Sequence, residues 1–201
     1  MFRLETATGR VERFSDGPAG EPFRIPNSLA FDAEGRLYVS DSHAFRVPGR
    51  GVVRIDAGGR AEWWWDPPLN FANGIALSPD GAWLYVVETF GCAVSRIEIR
   101  DDGSAGRREE VFALEGTYPD GLAFDVEGNL YVGCYEPSEV LRVDRRGAVD
   151  VLYREISVHT LAHPTNVAFR GSTMFTANLG RWHVTRLEVG IDGVTLPPGR
   201  R

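Results

Sequence analysis

The sequence contains no lysine: all 22 basic residues are arginine. Schiff-base lysine chemistry, the phosphate-loop lysine and Ser/Lys dyads are therefore excluded as mechanisms. Cysteine is scarce, with Cys92 and Cys134 alone, too few for a zinc knuckle or a disulfide framework and consistent with a reducing, cytoplasmic setting. No run approaches the ~20 apolar residues of a membrane span, and Met1 to Arg10 lacks the apolar core of a secretory signal, so no membrane association is expected. Positive charge is not in excess. The net charge is −6, which argues against nucleic acid as a partner. There is no Gly-x-Ser-x-Gly nucleophile elbow, and no sustained 3.6-residue apolar period, so almost no helix is expected.

What the chain does contain is a repeat. Over 201 residues, with 43% hydrophobic and 25% charged side chains, four segments match one another: Pro26 onward (PNSLAFDAEGRLYV), Ala72 onward (ANGIALSPDGAWLYV), Pro119 onward (PDGLAFDVEGNLYV) and Pro164 onward (PTNVAFRGSTMFTA). Their second residues, Asn27, Asn73, Asp120 and Thr165, recur at intervals of 46, 47 and 45 residues. Such a period marks a stacked or circular array of supersecondary units. In each unit an apolar run meets an Asp/Gly/Pro turn and a second run, the signature of a β-hairpin. Two further alternating runs follow. Four antiparallel strands per repeat form the blade of a β-propeller, and the expected fold is an all-β propeller. The blades are expected at 21–66, 67–114, 115–158 and 159–201, the last closing with a fourth strand at Val194–Leu196. Residues 1–20 supply half a blade, through runs at Phe2–Glu5 and Val11–Phe14.

The innermost strand of a blade lines the axial channel, so one position per repeat forms a ring. Asn27, Asn73, Asp120 and Thr165 are that ring, and all four carry a side-chain oxygen. Oxygen-only donors suit a hard cation, Ca²⁺ or Mg²⁺ before Zn²⁺; the same residue types also bond neighbouring backbone at strand starts. At the end of each second strand, returning to the same end of the propeller, stand Asp41, Glu88, Cys134 and Asn178. They offer either support or substrate contact to the ring, or hydrogen bonds between blades. Asp32, Asp80, Gly81, Asp125 and Gly128 lie in turns at the opposite end and read as structural. Ser40-Asp41-Ser42-His43 holds the residue types of a hydrolase triad, but alternation along a strand sends neighbours to opposite faces. His159 and His163 precede Pro164 in a loop, and His183 lies in a third strand. Trp63-Trp64-Trp65 falls on an outermost strand, suited to blade-edge packing more than to a carbohydrate platform. Cys134 has no identifiable basic partner that would make it a nucleophile.

The phrases Phe71 to Gly81 (FANGIALSPDG), Tyr118 to Leu122 (YPDGL) and Leu84 to Thr89 (LYVVET) resemble the senescence marker protein/gluconolactonase family of six-bladed propellers, which includes regucalcin-like sugar lactonases. The resemblance implies one divalent metal on the axis, Ca²⁺ by default with Mg²⁺, Mn²⁺ or Zn²⁺ as alternatives, held at Asn73 and Asp120 with Asn27 nearby. It implies opening of a lactone ring by metal-activated water, on a small-molecule lactone or sugar-acid substrate, with Asp120 as ligand and base. The family's first-blade glutamate has no counterpart here, and Glu21 is the nearest acid that could replace it. Ile25 stands where the family has a substrate-binding arginine, and Ser28 where it often has aspartate. Six repeats would need roughly 6 × 46 residues, so the chain is expected to hold about four and a half of six blades, N-terminally truncated, with exposed blade edges that favour self-association. Two other readings are open: a non-catalytic propeller that binds a ligand or protein, and a strictosidine-synthase-like enzyme.

Overall fold

The computed structural model of the chain describes residues 1–195. Nearly all regular structure in it is antiparallel β, and the two helical turns, Pro18–Gly20 and Thr89–Gly91, are short 3-10 turns. A hairpin of β1 (Phe2–Glu5) and β2 (Arg10–Arg13) precedes the first blade, which consists of β3 (Pro26–Phe31), β4 (Leu37–Asp41), β5 (Gly49–Ile55) and β6 (Ala61–Leu69). The second blade holds β7 (Ala72–Leu77), β8 (Trp83–Glu88), β9 (Ala93–Ile99) and β10 (Ala105–Ala113); the third holds β11 (Tyr118–Phe124), β12 (Leu130–Glu136), β13 (Glu139–Val143) and β14 (Val149–Arg154). The fourth has three strands among the described residues, β15 (Pro164–Arg170), β16 (Thr173–Asn178) and β17 (Val184–Glu188). The expected four-blade propeller array is thus present, with strands in sequence order within each blade. Among the described residues no helix is long and apolar enough to cross a membrane.

The end of the chain departs from expectation. Gly193 bridges Asp125, and the Val194 N–H donates to the Phe124 carbonyl at 2.9 Å. Val194 therefore lies against the third blade's inner hairpin rather than adding a fourth strand beside β17; Leu196, the far end of that expected strand, lies outside the described residues.

Tight turns fix the hairpins. The Asp32 carboxylate accepts the N–H groups of Glu34 and Arg36, and Asp125 those of Glu127 and Asn129, in each case two and four residues ahead. Gly35 and Gly128 then take the left-handed φ of 80° and 82° that glycine tolerates best.

Blades pack face to face through strict alternation. On β8, Leu84 and Val86 enter the cluster with Tyr38, Val52 and Trp64 of the first blade, while Val87 faces the opposite way, towards Leu122, Val132 and Leu141 of the third. A third layer, with Tyr131, Val167 and Met174, joins blades three and four. Both faces of each inner blade are thus dry, which is why its strands read as nearly continuous apolar runs. Trp64 is part of this core, with its indole N–H on the Gly103 carbonyl at 2.9 Å.

Candidate active site

The inner strands β3, β7, β11 and β15 neighbour one another in that order. Each is broken at the same place. Pro26 pairs with Asp41 and Leu29 with Val39; Ala72 pairs with Glu88 and Ile75 with Val86; Pro119 pairs with Cys134 and Leu122 with Val132. In each case the inner strand carries one residue more than its partner. The extra residue falls at Asn27-Ser28, Asn73-Gly74 and Asp120-Gly121. A β-bulge re-aims side chains next to it, so the ring residues depart from strand alternation at this point. The fourth blade shifts at Thr165-Asn166. There the side chain brought against the next inner strand is Asn166, whose Oδ1 lies beside Gly121.

The residue after each ring position must be small because the inner strands nearly touch. A methyl group on Gly74 would collide with the Asp120 carbonyl, and one on Gly121 with the Asn166 backbone. Ser28 takes this place in the first blade, its N–H donating to Ser40 Oγ at 2.9 Å.

Two hydroxyls to which the sequence assigns no such role, those of Ser42 and Thr89, anchor the ring amides. Asn27 Nδ2 donates to Ser42 Oγ at 3.1 Å, and Ser42 Oγ donates to the Ala72 carbonyl at 2.7 Å. One blade on, Asn73 Nδ2 donates to Thr89 Oγ1 at 3.1 Å, and Thr89 donates to the Pro119 carbonyl at 2.9 Å. Each amide is thereby tied to the backbone just ahead of the next ring residue. With their NH₂ groups engaged in this way, the amide oxygens accept no hydrogen bond from the described residues. The signal was available: Ser42 and Thr89 occupy the same place in successive repeats, one residue beyond Asp41 and Glu88.

At that place the third blade has Tyr135 instead, and Asp120 lacks such an anchor. Burial pushes its carboxyl up to about 7, the neighbouring Asn73 amide offsets this only in part, and no arginine offsets the charge. Asn73 is buried, Asp120 is partly exposed and Asn27 is exposed.

Asp41, Glu88 and Asn178 occupy equivalent register positions, opposite Pro26, Ala72 and Pro164. Their side chains hold the segments that lead into the inner strands. Asp41 accepts the N–H groups of Arg24 and Ile25, both at 2.8 Å, Glu88 that of Asn70 at 3.0 Å, and Asn178 Oδ1 that of Ala162 at 3.2 Å. Glu88 also accepts the Ser95 hydroxyl and the Arg108 guanidinium. Cys134, the third-blade equivalent, is fully buried, and that burial pushes its thiol well above the ordinary range. Glu21 pairs with Arg50 at 2.8 Å on the exposed side of the first blade. The histidines do not converge: His163 Nδ1 meets the Tyr135 carbonyl, and His183 Nε2 the Thr160 carbonyl at 2.8 Å. Among the described residues no three His, Cys, Asp or Glu side chains gather in a metal-binding group.

The fold is that of a β-propeller blade array, with Asn27, Asn73 and Asp120 at the bulges of successive inner strands. The chain belongs to the SMP-30/Gluconolactonase/LRE-like family, whose model matches residues 1–178. It is 32% identical over 180 residues to a 6-deoxy-6-sulfogluconolactonase of Pseudomonas putida, covering 88% of this chain and 60% of that protein. Against lactonase drp35 of Staphylococcus aureus it is 31% identical over 126 residues, covering 60% of this chain and 39% of that one. The chain thus matches about three-fifths or less of the length of these curated relatives. Among solved structures, the calcium-binding protein regucalcin from Agrobacterium tumefaciens superposes with a TM-score of 0.81 at 20% identity, covering 100% of this chain and 73% of that one. A gluconolactonase from Xanthomonas campestris gives 0.74 at 22% identity, covering 88% and 61%. At these identities the structures speak to the fold.

Proposed function

We propose that the chain carries the site of a lactone hydrolase that opens a small sugar-derived lactone at Asp120. The observation that carries this reading is the position of Asp120. It is a carboxyl at the bulge of an inner strand, pushed up to about 7 by burial, in a family whose curated relatives named above are lactonases. A base poised near neutrality in the metal-free site is ionised often enough to accept a proton and basic enough to take it, and a bound cation would shift it towards the ionised form. Asp120 takes the proton of the attacking water, and the neighbouring Asn73 amide is itself fixed by Thr89.

The donor set also fits a hard divalent cation. A partly buried carboxylate without a basic partner stands with two anchored amides whose oxygens are unengaged, and all three donors are oxygen. Asn27, Asn73 and Asp120 would hold it, with Ca²⁺ the default and Mg²⁺, Mn²⁺ or Zn²⁺ as alternatives. Such a cation polarises the lactone carbonyl and acidifies water. The two free thiols, Cys92 and Cys134, support a cytoplasmic setting. A panel of aldonolactones and simple acyl lactones, assayed with each of the four cations, tests the proposal. Turnover that is lost in Asp120→Asn is expected; turnover indifferent to that change would overturn the role of Asp120.

A further inference from the structure

Beside the ring, at the same end of the propeller, lies a wall of aromatic side chains. Phe45 follows β4, Phe71 precedes β7, Phe90 follows β8, Tyr118 opens β11 and Tyr135 lies near the end of β12. Their rings are continuous: Phe45 to Phe90 at 4.7 Å, Phe90 to Phe71 at 4.9 Å, Phe90 to Tyr118 at 6.1 Å, and Tyr118 stacked on Tyr135 at 5.6 Å. Four of the rings are half-buried, but Phe45 is 67% exposed, so core packing does not account for its place in the wall. The backbone here is also strained. Phe71 has φ of 64° and Arg46 of 56°, values that bulky residues adopt only where the surroundings impose them, and such strain clusters at ligand-binding sites.

Arg46 stands at the outer end of this wall. Its guanidinium lies over the rings of Phe45, at 5.5 Å, and Phe90, at 5.3 Å, and a tight turn from Ala44 to Val47 holds its backbone. Of the other arginines at this end, Arg108 pairs with Glu88 and Arg154 with Glu139; Arg24 and Arg181 are exposed like Arg46, but neither lies over the rings of this wall. Arg46 is exposed, and among the described residues it has no carboxylate partner. Burial and the Asp120 charge raise the Tyr135 hydroxyl above the ordinary phenol range, while Arg46 acts on the same hydroxyl in the opposite sense.

We infer that this wall and Arg46 select a lactone whose carbon chain ends in an oxoanion: the sugar ring lies on the aromatic faces and the distal anion pairs with Arg46. Charge makes the arrangement specific. In a chain of net charge −6, an anionic substrate is repelled over most of the surface and must keep its charge away from Asp120. Arg46 offers a positive point seated on Phe45 and Phe90, and a planar guanidinium pairs with carboxylate, phosphate or sulfonate oxygens alike. The inference rests on the lactone reading of the site, so its test needs a readout that does not require turnover.

Glucono-1,5-lactone, its 6-phosphate and its 6-carboxylate analogue differ in the distal group and share the ring. Wild-type chain is expected to open the two charged lactones with the lower KM, and the better of the two identifies the anion. Arg46→Gln should raise KM for the charged lactones about tenfold and leave the neutral one within twofold; Arg46→Lys should keep part of the preference, and 0.5 M salt should erode it. Equal KM values for charged and neutral lactones, or an equal loss for both in Arg46→Gln, would overturn the inference while leaving the hydrolase reading intact. If no lactone is opened, the hydrolase reading fails. Calorimetry with glucarate against gluconate then decides the role of Arg46: tighter glucarate binding that Arg46→Gln abolishes supports it, and equal or absent binding overturns it.

Discussion

Asp120 departs most from its ordinary chemistry. Its carboxyl moves from 3.8 to about 7 because burial disfavours the charge, and the neighbouring Asn73 amide only partly compensates. Between these values the folded chain holds a proton that the unfolded chain has released. The stability contributed by this group is therefore complete below about pH 4 and is lost as pH rises through 7. Partial exposure screens the effect, leaving about 1–3 kcal/mol. Without added metal, the urea midpoint should be lower at pH 8 than at pH 5, and Asp120→Asn should flatten that dependence. A divalent cation competes with the proton, so its stabilising effect should grow over the same interval. Thr89 is the second decisive residue. Thr89→Val removes the partner of Asn73 and leaves the Pro119 carbonyl unsatisfied. The expected outcome is a loss of about 1–3 kcal/mol in stability and a fall of roughly tenfold or more in kcat/KM, both largely recovered in Thr89→Ser.

Among the elements, the bulged inner strands define the site, and they set the limits of sequence reading. The repeat exposed the hairpins and the blades, because period-two alternation and Asp-Gly turns leave a direct imprint on residue order. The bulges leave none: an extra residue in one strand is visible only once the partner strand is in register. Hence Thr165 was aligned with the ring, although Asn166 is the side chain that reaches Gly121. The aromatic wall was hidden for a related reason, since its five rings come from five strand ends far apart in sequence. Close approach of the inner strands makes its own prediction. Gly74→Ala places a methyl group on the Asp120 carbonyl, and the overpacking should cost about 1–3 kcal/mol in urea unfolding and lower lactone turnover, since the displaced residue is Asp120 itself.

On the scale of the whole molecule, the first and fourth blades carry exposed apolar side chains among the described residues. Leu29 and Phe31 of β3 are 54% and 45% exposed on the outer side of the first blade, and Val184 of β17 is 63% exposed on the fourth, although between blades such residues are buried. Apolar sheet faces of this kind drive association, and sedimentation of the 201-residue chain should show concentration-dependent oligomers that Leu29→Glu with Phe31→Glu reduces. The central claim remains the site at Asn27, Asn73 and Asp120. One carboxylate and two amides give a low ligand charge, and calcium affinity falls with it, to about 10⁻⁴–10⁻³ M for weak sites. Calorimetric titration with Ca²⁺ of the wild-type chain beside Asp120→Asn tests that claim most directly. A dissociation constant in that range for the wild type, with no binding by the variant, is the predicted result; equal binding by both, or none by the wild type, would contradict it.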